Sequence, residues 1–310
     1  MIPPRILVTG ANGLVGQAVV RAASRWPGAD VLATGRGPAL DHARGGYARL
    51  DVLDADAVER AVQDFSPNAV VHCAGTAQVE DCEADRQSCW ALNVDAVAAL
   101  AGACHRGGAR LVLPSTDFVF DGRSGPYAET DRPAPINAYG RSKLAAENAL
   151  RTSPLTQWAV ARTTMVFGTP AGPEPRMDFV RWVVRELGAG RPIRVPADQT
   201  RTPTWDDDLA AGIVKLVRFE RQGVFHVSGR ESLPVLDLAR RVAAAFDLDA
   251  GLISPATTAE IHPGAPRPLQ AGLLILRAET ELGYRPRSLD HALAAVRDRL
   301  AACPRPSGAR

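Results

Sequence analysis

The feature that most constrains the fold is a glycine-rich turn between an apolar strand and a helix at the start of the chain. Residues 5–9 (RILVT) are typical of a buried strand, and residues 14–26 of a helix. Between them stands GANGLVG, a G-x-x-G-x-x-G pattern. Residues without a Cβ let backbone N–H groups and the positive end of the helix approach a pyrophosphate. The turn therefore predicts a dinucleotide site. The residues predicted to line it are Gly10, Asn12, Gly13, Leu14, Val15 and Gly16.

Short apolar strands alternate with helical segments up to about residue 162. The predicted strands are 30–34, 69–72, 110–115 and 158–162, and the predicted helices are 55–65, 86–105 and 138–150. Asp54 is the expected N-cap of the helix over residues 55–65. Strands covered by helices on both faces favour a parallel sheet with right-handed crossovers. The predicted fold class is therefore α/β, with a Rossmann-type doubly wound parallel sheet.

The composition changes after Arg162. Residues 168–175 and 254–268 are rich in Gly and Pro, and helical patterns lie between them. This change predicts a smaller C-terminal α/β domain that binds the substrate. We expect the dinucleotide-binding domain to comprise residues 1–163 plus 204–225, and the substrate-binding domain to comprise residues 164–203 plus 226–310.

The tip of the second strand indicates which dinucleotide is bound. An acidic residue there would bind the ribose 2′-hydroxyl of NAD, whereas an arginine would accommodate the 2′-phosphate of NADP. The sequence has Thr34-Gly35-Arg36, with no acid. The predicted cofactor is therefore NADPH/NADP. Two further segments fall where the adenine and the nicotinamide ribose would lie. They are Asp51 and Val52 after the third strand, and Cys73, Ala74, Gly75 and Thr76 after the fourth.

A Tyr-x-x-x-Lys pair opens the helix after residue 137. Tyr139 and Lys143 are four residues apart, so they share one helix face. An ammonium beside a phenol favours the phenolate, which can exchange a proton with a carbonyl or alcohol oxygen. The lysine can also hold the nicotinamide ribose. Ser115 and Thr116 end the preceding strand, and either hydroxyl could hydrogen-bond the reacting oxygen.

Charge and hydropathy exclude several classes of partner. The formal net charge is +2, and 23% of residues are charged without a dense block of one sign. Nucleic acid and anionic membranes are therefore not expected as partners. No stretch has the roughly 18 apolar residues needed to span a bilayer, and the apolar run begins directly after MIPPR, which leaves no room for a signal peptide. We expect a cytoplasmic protein.

Cysteine and histidine spacing predicts no metal site. The five cysteines are odd in number and include no Cys-x-x-Cys pair, which argues against a disulfide framework and a zinc cluster. Four histidines, at positions 72, 105, 226 and 262, likewise have no metal-like spacing.

Three motifs resemble the extended short-chain dehydrogenase/reductase family and, within it, the dTDP-4-dehydrorhamnose reductase branch. Residues 115–122 (STDFVFDG) resemble the branch's S-T-D-Y-V-F-D-G, and residues 137–147 (NAYGRSKLAAE) its N-x-Y-G-x-S-K-x-x-x-E. Residues 198–204 (DQTRTPT) resemble its D-Q-x-G-x-P-T. Arg267-Pro268 is similar to a late Arg-Pro in the substrate region. The resemblance covers nearly the whole chain.

The resemblance implies an NADPH-dependent reductase of a keto group on a nucleotide-linked deoxysugar. In the family the threonine of S-T-D acts beside the tyrosine and lysine, and this role falls on Thr116. Three positions depart from the branch: Phe118 replaces Tyr, Met165 replaces Trp, and Arg201 replaces Gly. The residues expected at the substrate are Thr116, Asp117, Phe118, Met165, Arg201 and Arg267, and Thr164 is expected at the cofactor.

Two alternatives remain open. One is a nucleotide-sugar epimerase or dehydratase on the same scaffold. Related dehydratases carry an acid directly after the Thr-Asp pair, where this chain has Phe118, so a dehydratase is disfavoured. The other is a non-catalytic NADP-binding protein, similar to the regulatory subunit of methionine adenosyltransferase. A homodimer is also left open by the resemblance, and no set of carboxylates predicts a divalent ion.

Overall fold

The protein is built from strands and helices that alternate along the chain. The computed structural model describes residues 4–39, 46–172 and 177–302. The strands are β1 (Arg5–Thr9), β2 (Asp30–Gly35), β3 (Tyr47–Arg49), β4 (Ala69–His72), β5 (Arg110–Thr116), β6 (Trp158–Thr163), β7 (Val166–Phe167), β8 (Ile193–Pro196), β9 (Thr200–Arg201), β10 (Thr204–Trp205), β11 (Gly223–His226), β12 (Leu233–Pro234) and β13 (Ile253–Ala256). The helices are α1 (Leu14–Ala23), α2 (Ala55–Phe65), α3 (Val79–Ala84), α4 (Arg86–Trp90), α5 (Ala96–Gly107), α6 (Ala138–Thr152), α7 (Phe179–Gly188), α8 (Asp206–Arg218), α9 (Val235–Ala245), α10 (Thr258–Ile261), α11 (Leu276–Leu282) and α12 (Leu289–Ala302).

A seven-stranded parallel sheet organises the N-terminal part. Its strand order is β11-β6-β5-β4-β1-β2-β3. The chain runs outwards from β1 to β3 and then returns to β4 on the other side of β1, where Thr9 lies opposite His72. This reversal places a crevice beyond the carboxyl ends of β1 and β4, the place where such sheets bind ligands. The predicted doubly wound Rossmann fold is confirmed.

Helices cover both faces of this sheet. One core joins Val8 and Ala161 of the strands to Val19 of α1 and Ile213 of α8. The core on the other face is made by strand residues such as Leu7 and Leu111 with side chains from α2, α5 and α6. The α2 helix begins where the sequence predicts, because the Asp54 side chain accepts a hydrogen bond from Ala57 N at 2.9 Å.

A second core is built from the C-terminal half. It packs α7, α9 and α12 around Val183, Leu238 and Leu293. Three two-stranded pairs, β10-β7, β12-β9 and β13-β8, accompany it. Tyr284 packs into the first core instead, although it belongs to the expected substrate domain. The expected domain boundaries remain a proposal, supported by the presence of two separate cores.

Two details differ from the sequence expectations. The helix expected over residues 86–105 is interrupted, because a π-helical turn over Ala91–Asp95 separates α4 from α5. The cysteine spacing gave no reason to expect a disulfide, yet Cys82 and Cys89 are bonded. The turn from α3 into α4 brings their Cα atoms within 5.1 Å, although seven residues separate them in sequence. No helix in the described ranges is long and apolar enough to cross a membrane.

Candidate active site

The glycine turn leaves space for a ligand at one of its three glycines. Gly10 has a φ of +63°, and a Cβ there would lie 2.4 Å from Ala74 N. A Cβ on Gly16 would lie 2.2 Å from the Gly10 carbonyl oxygen. Close packing within the protein therefore requires glycine at both Gly10 and Gly16. A Cβ on Gly13 would meet only the Gly10 carbonyl oxygen, at 3.4 Å. The space at Gly13, at the N-terminus of α1, fits a pyrophosphate.

The loop after β2 is held by its neighbours, and its arginine faces solvent. Asn12 Nδ2 donates to the Pro38 carbonyl oxygen at 2.9 Å, and the Tyr47 hydroxyl donates to that of Gly37 at 2.7 Å. Arg49 Nε donates to the backbone oxygen of Arg36 at 2.9 Å. Within the described ranges the Arg36 guanidinium has no acidic partner. A fixed backbone with an uncommitted guanidinium suits a 2′-phosphate.

Asn93, which the sequence did not single out, fixes the segment after β4. Its Oδ1 accepts from Thr76 N at 3.0 Å, and its Nδ2 donates to the Thr76 carbonyl oxygen at 3.1 Å. A Cβ on Gly75 would lie 3.0 Å from Asn93 Oδ1. Asn93 sits in the π-helical turn, a feature frequent at functional sites. In the sequence, the only hint of this role is an asparagine that stands between apolar residues of a predicted helix.

The two remaining cofactor segments differ in exposure. Cys73 N donates to the Thr9 carbonyl oxygen at 3.1 Å, so the backbone of this segment continues β4 along the crevice. Burial raises the pKa of the Cys73 thiol to about 12 and keeps it neutral. Asp51 is exposed and accepts from Leu53 N at 3.1 Å, whereas Val52 is buried.

The N-terminus of α6 is fixed from three sides. Asn137 caps the helix by accepting from Gly140 N at 2.8 Å, and its amide donates to the Pro266 carbonyl oxygen at 2.9 Å. Glu83 Oε1 accepts from Ala138 N at 2.7 Å. These bonds place Tyr139 in a small buried cluster with Cys89 and Ala265.

Tyr139 and Lys143 both point into the protein, each with 9% exposure. Burial raises the pKa of Tyr139 to about 12; a hydrogen bond with Thr116 lowers it in part, and the charge of Asp117 raises it. Burial lowers the pKa of Lys143 to about 8. Lys143 Nζ donates to the Pro114 carbonyl oxygen at 2.9 Å. The Lys143 ammonium is therefore held by the backbone of β5.

The two candidate hydroxyls at the end of β5 have different surroundings. Ser115 Oγ donates to Glu147 Oε1 at 2.6 Å, and Glu147 is paired with the buried Arg162. Ser115 therefore belongs to an internal ion-pair cluster. Thr116 Oγ1 accepts from Phe118 N at 3.2 Å, and the Thr116 side chain lies close enough to Tyr139 to lower its pKa in part against the rise caused by burial. The structure thus brings Thr116 together with Tyr139.

The residues expected at the substrate have different surroundings, and one of them, Phe118, contacts Tyr139 directly. The Phe118 ring meets the Tyr139 ring edge-on, with centroids 5.7 Å apart. Met165 is half-buried and has a φ of +41°, a strained conformation for a residue with a Cβ. Arg267 forms an ion pair with Glu80.

Three other predicted residues lie deeper in the protein. Asp117 and Arg201 are buried and face each other. Thr164 is buried too; burial raises the pKa of the Asp117 carboxyl, and the Thr164 hydroxyl offsets part of that rise. Among described residues no group of three or more His, Cys, Asp or Glu side chains could hold a metal ion.

A doubly wound sheet, a glycine turn at its switch point and a Thr-Tyr-Lys group at the same edge define the extended short-chain dehydrogenase/reductase class. Residues 4–302 match the family model described as the RmlD substrate binding domain. The chain therefore belongs to this family.

Known relatives differ in their activities. The chain is 37% identical to a probable dTDP-4,6-dihydroxy-2-methyloxan-3-one 4-ketoreductase of Streptomyces antibioticus, over 85% of this chain and 84% of that protein. It is 35% identical to methionine adenosyltransferase 2 subunit beta of Danio rerio, over 89% of this chain and 84% of that protein. A solved dTDP-4-dehydrorhamnose reductase from Bacillus anthracis, in complex with NADP, is 27% identical with a TM-score of 0.82, covering 96% of this chain and 99% of that chain.

Proposed function

We propose that the protein is an NADPH-dependent reductase of a 4-keto group on a nucleotide-linked 6-deoxysugar. The observation that carries the proposal is that Thr116, at the carboxyl end of β5, lies beside the buried Tyr139, whose ring meets that of Phe118 at 5.7 Å between centroids. The chain is thus an NADP-dependent oxidoreductase of the short-chain dehydrogenase type. The 4-ketoreductase from Streptomyces antibioticus and the NADP-bound reductase from Bacillus anthracis support this assignment.

Each side chain of the site has a definite role in the reduction. NADPH, when bound, supplies the hydride. Thr116 hydrogen-bonds the ketone oxygen and holds it beside the Tyr139 hydroxyl. Tyr139 then transfers its proton to that oxygen as negative charge develops there. With a pKa raised to about 12, Tyr139 is protonated at neutral pH and is ready to act as an acid.

Lys143 and the glycine turn hold the cofactor. One N–H of the Lys143 ammonium is bonded to the Pro114 carbonyl oxygen, which leaves two donors for ribose hydroxyls. Backbone N–H groups at the start of α1 would hold the pyrophosphate, and Arg36 would hold the 2′-phosphate. These residues bind and orient; they do not exchange protons with the substrate.

The test is NADPH oxidation with a panel of nucleotide-linked 4-ketosugars. Tyr139→Phe should lower kcat by about 10²–10⁴ and leave NADPH binding within a few-fold of wild type. Tyr284→Phe is the matched control, because its hydroxyl donates to the Ser228 carbonyl oxygen away from the site. If no ketosugar supports NADPH oxidation, the proposed substrate class is wrong.

A second candidate function follows from the likeness to methionine adenosyltransferase 2 subunit beta. A protein of that kind would bind NADPH and a methionine adenosyltransferase without turning over a ketosugar. Co-purification with the adenosyltransferase of the same organism, together with absent ketoreductase activity, would favour it. An epimerase would instead interconvert sugars without net NADPH consumption. The homodimer stays a prediction, which analytical ultracentrifugation would test.

A further inference from the structure

Both terminal nitrogens of the Arg201 guanidinium are hydrogen-bonded to other protein groups. Nη1 donates to the carbonyl oxygens of Thr200 and Leu269 at 2.8 and 3.1 Å. Nη2 donates to Gln199 Oε1 at 3.1 Å and to the Pro268 carbonyl oxygen at 2.6 Å. The side chain is 2% exposed. Reaching a substrate would require breaking several buried hydrogen bonds, each of which is costly to leave unmade.

The remaining nitrogen of Arg201 faces Asp117, which lies between Thr116 and Phe118. Arg201 Nε is 3.4 Å from Asp117 Oδ2, and the Asp117 side chain is 1% exposed. Asp117 Oδ1 accepts from the Thr116 hydroxyl at 3.3 Å. A buried carboxylate requires a paired cation. Within the described part of the chain, Arg201 is the cation that pairs with Asp117.

This ion pair acts on the hydroxyls that the proposed reaction uses. The charge of Asp117 raises the pKa of Tyr139, and the Thr116 hydrogen bond lowers it. Burial raises the pKa of Asp117, whereas the charge of Arg201 lowers it. Arg267 is the other charged group close to Arg201, and it lowers the pKa of that guanidinium. Arg201 is thus the cation that faces Asp117, whereas Lys143, on the same helix face as Tyr139, is held by the Pro114 carbonyl oxygen.

We infer that Arg201 is a positioning residue: by holding and neutralising Asp117, it orients the Thr116 hydroxyl and limits the negative charge that faces Tyr139. The inference rests on the proposed reductase function, because it concerns the same site. It replaces direct contact with the substrate as the role of Arg201. An uncompensated Asp117 carboxylate would hold the Thr116 proton more strongly than it does beside Arg201, away from the ketone oxygen, and would disfavour the Tyr139 phenolate.

The experiment compares Arg201→Gln, Asp117→Asn and the double variant. A difluorotyrosine is incorporated at position 139, because its intrinsically lower pKa brings the titration into the range where the protein stays folded. Its absorbance is followed against pH in the full-length protein with NADP⁺, and the background is subtracted with Tyr139→Phe. Arg201→Gln should move the Tyr139 midpoint upwards by about one pH unit, since the anion at Asp117 becomes uncompensated. Adding Asp117→Asn removes the anion, so the double variant should return close to wild type. An equal upward shift with and without Asp117→Asn would overturn the inference.

Kinetics provide the second readout. Arg201→Gln should lower kcat about tenfold while KM for the ketosugar stays within about twofold, because the side chain does not touch the substrate. A raised KM with unchanged kcat would instead show direct substrate contact and overturn the inference. The absorbance titration needs no substrate. If no ketosugar is reduced, the proposed function fails while the titration still decides how Arg201 acts.

Arg201→Lys is the variant to use if Arg201→Gln does not fold. The lysine keeps a positive charge beside Asp117 but cannot reproduce the four hydrogen bonds of the guanidinium. We expect lower thermal stability and a Tyr139 midpoint equal to that of wild type. An upward shift of that midpoint in Arg201→Lys would show that the charge on residue 201 is not what matters.

Discussion

The helix of Tyr139 touches the backbone of Phe118 at Gly140, where a Cβ would lie 2.1 Å from the Phe118 carbonyl oxygen. No side chain fits between these two elements. The contact fixes the start of α6 against the segment that follows Thr116, and thus the distance between the two hydroxyls. The glycine in the Tyr-Gly-x-Ser-Lys motif is therefore explained by close packing rather than by a positive φ.

Gly140→Ala should separate α6 from Phe118. We expect a loss of about 1–3 kcal/mol in the free energy of unfolding and at least a tenfold lower kcat, because overpacking shifts Tyr139 away from Thr116. Urea denaturation and NADPH oxidation measure the two effects. Gly264→Ala is the control, since a Cβ there meets nothing within 4 Å. Full activity in Gly140→Ala would contradict the close contact.

Arg36→Ala should weaken the binding of NADPH and leave the binding of NADH unchanged. Losing one charge-assisted contact to a phosphate costs about 1.5–3 kcal/mol, which corresponds to roughly a 10- to 150-fold higher Kd for NADPH. Fluorescence titration with both cofactors gives the ratio. Arg60→Ala, another exposed arginine, serves as the control. Equal affinity for NADPH and NADH in the wild-type protein would defeat the NADP assignment.

Asn93→Ala should loosen the segment after β4. Both backbone groups of Thr76 lose their side-chain partner, and each unpaired group costs about 1–3 kcal/mol when buried. We expect a lower melting temperature and weaker NADPH binding. Asn148→Ala changes an exposed asparagine on α6 and should leave both unchanged. If Asn93→Ala binds NADPH as tightly as wild type, the Asn93–Thr76 hydrogen bonds do not contribute to the cofactor site.

Lys143→Met should stabilise the protein at neutral pH while abolishing turnover. The pKa of Lys143 falls from 10.5 to about 8 on folding. Below pH 8 the ammonium is charged in both states, so the folded state carries the full desolvation cost. Above about pH 10.5 it is neutral in both states, and the cost disappears.

The methionine variant should therefore be about 1–3 kcal/mol more stable at pH 7, and this advantage should shrink towards pH 10. Denaturant unfolding at the two pH values measures it. If the difference in unfolding free energy is the same at pH 7 and pH 10, burial of the Lys143 ammonium carries no desolvation cost.

Much of the cofactor half followed from local sequence. The turn at Gly10–Gly16, the strands before and after it, and the cap at Asp54 depend on contacts between residues close in the chain. Periodicity therefore predicted the Rossmann sheet and its first helices. The motifs around Tyr139 and Thr116 resemble one family over most of the chain, and that resemblance is confirmed by the family match over residues 4–302.

Only the tertiary structure could decide the rest, because it depends on residues far apart in sequence. Ser115 and Thr116 are adjacent, yet one hydroxyl bonds Glu147 and the other meets Tyr139. Asn93, in the π-helical turn, bonds Thr76, which lies 17 residues earlier in the chain. The motif that contains Arg201 is local, whereas only long-range folding brings this arginine against Asp117. Local sequence determines which elements form, whereas packing between distant segments determines which side chains remain free to react.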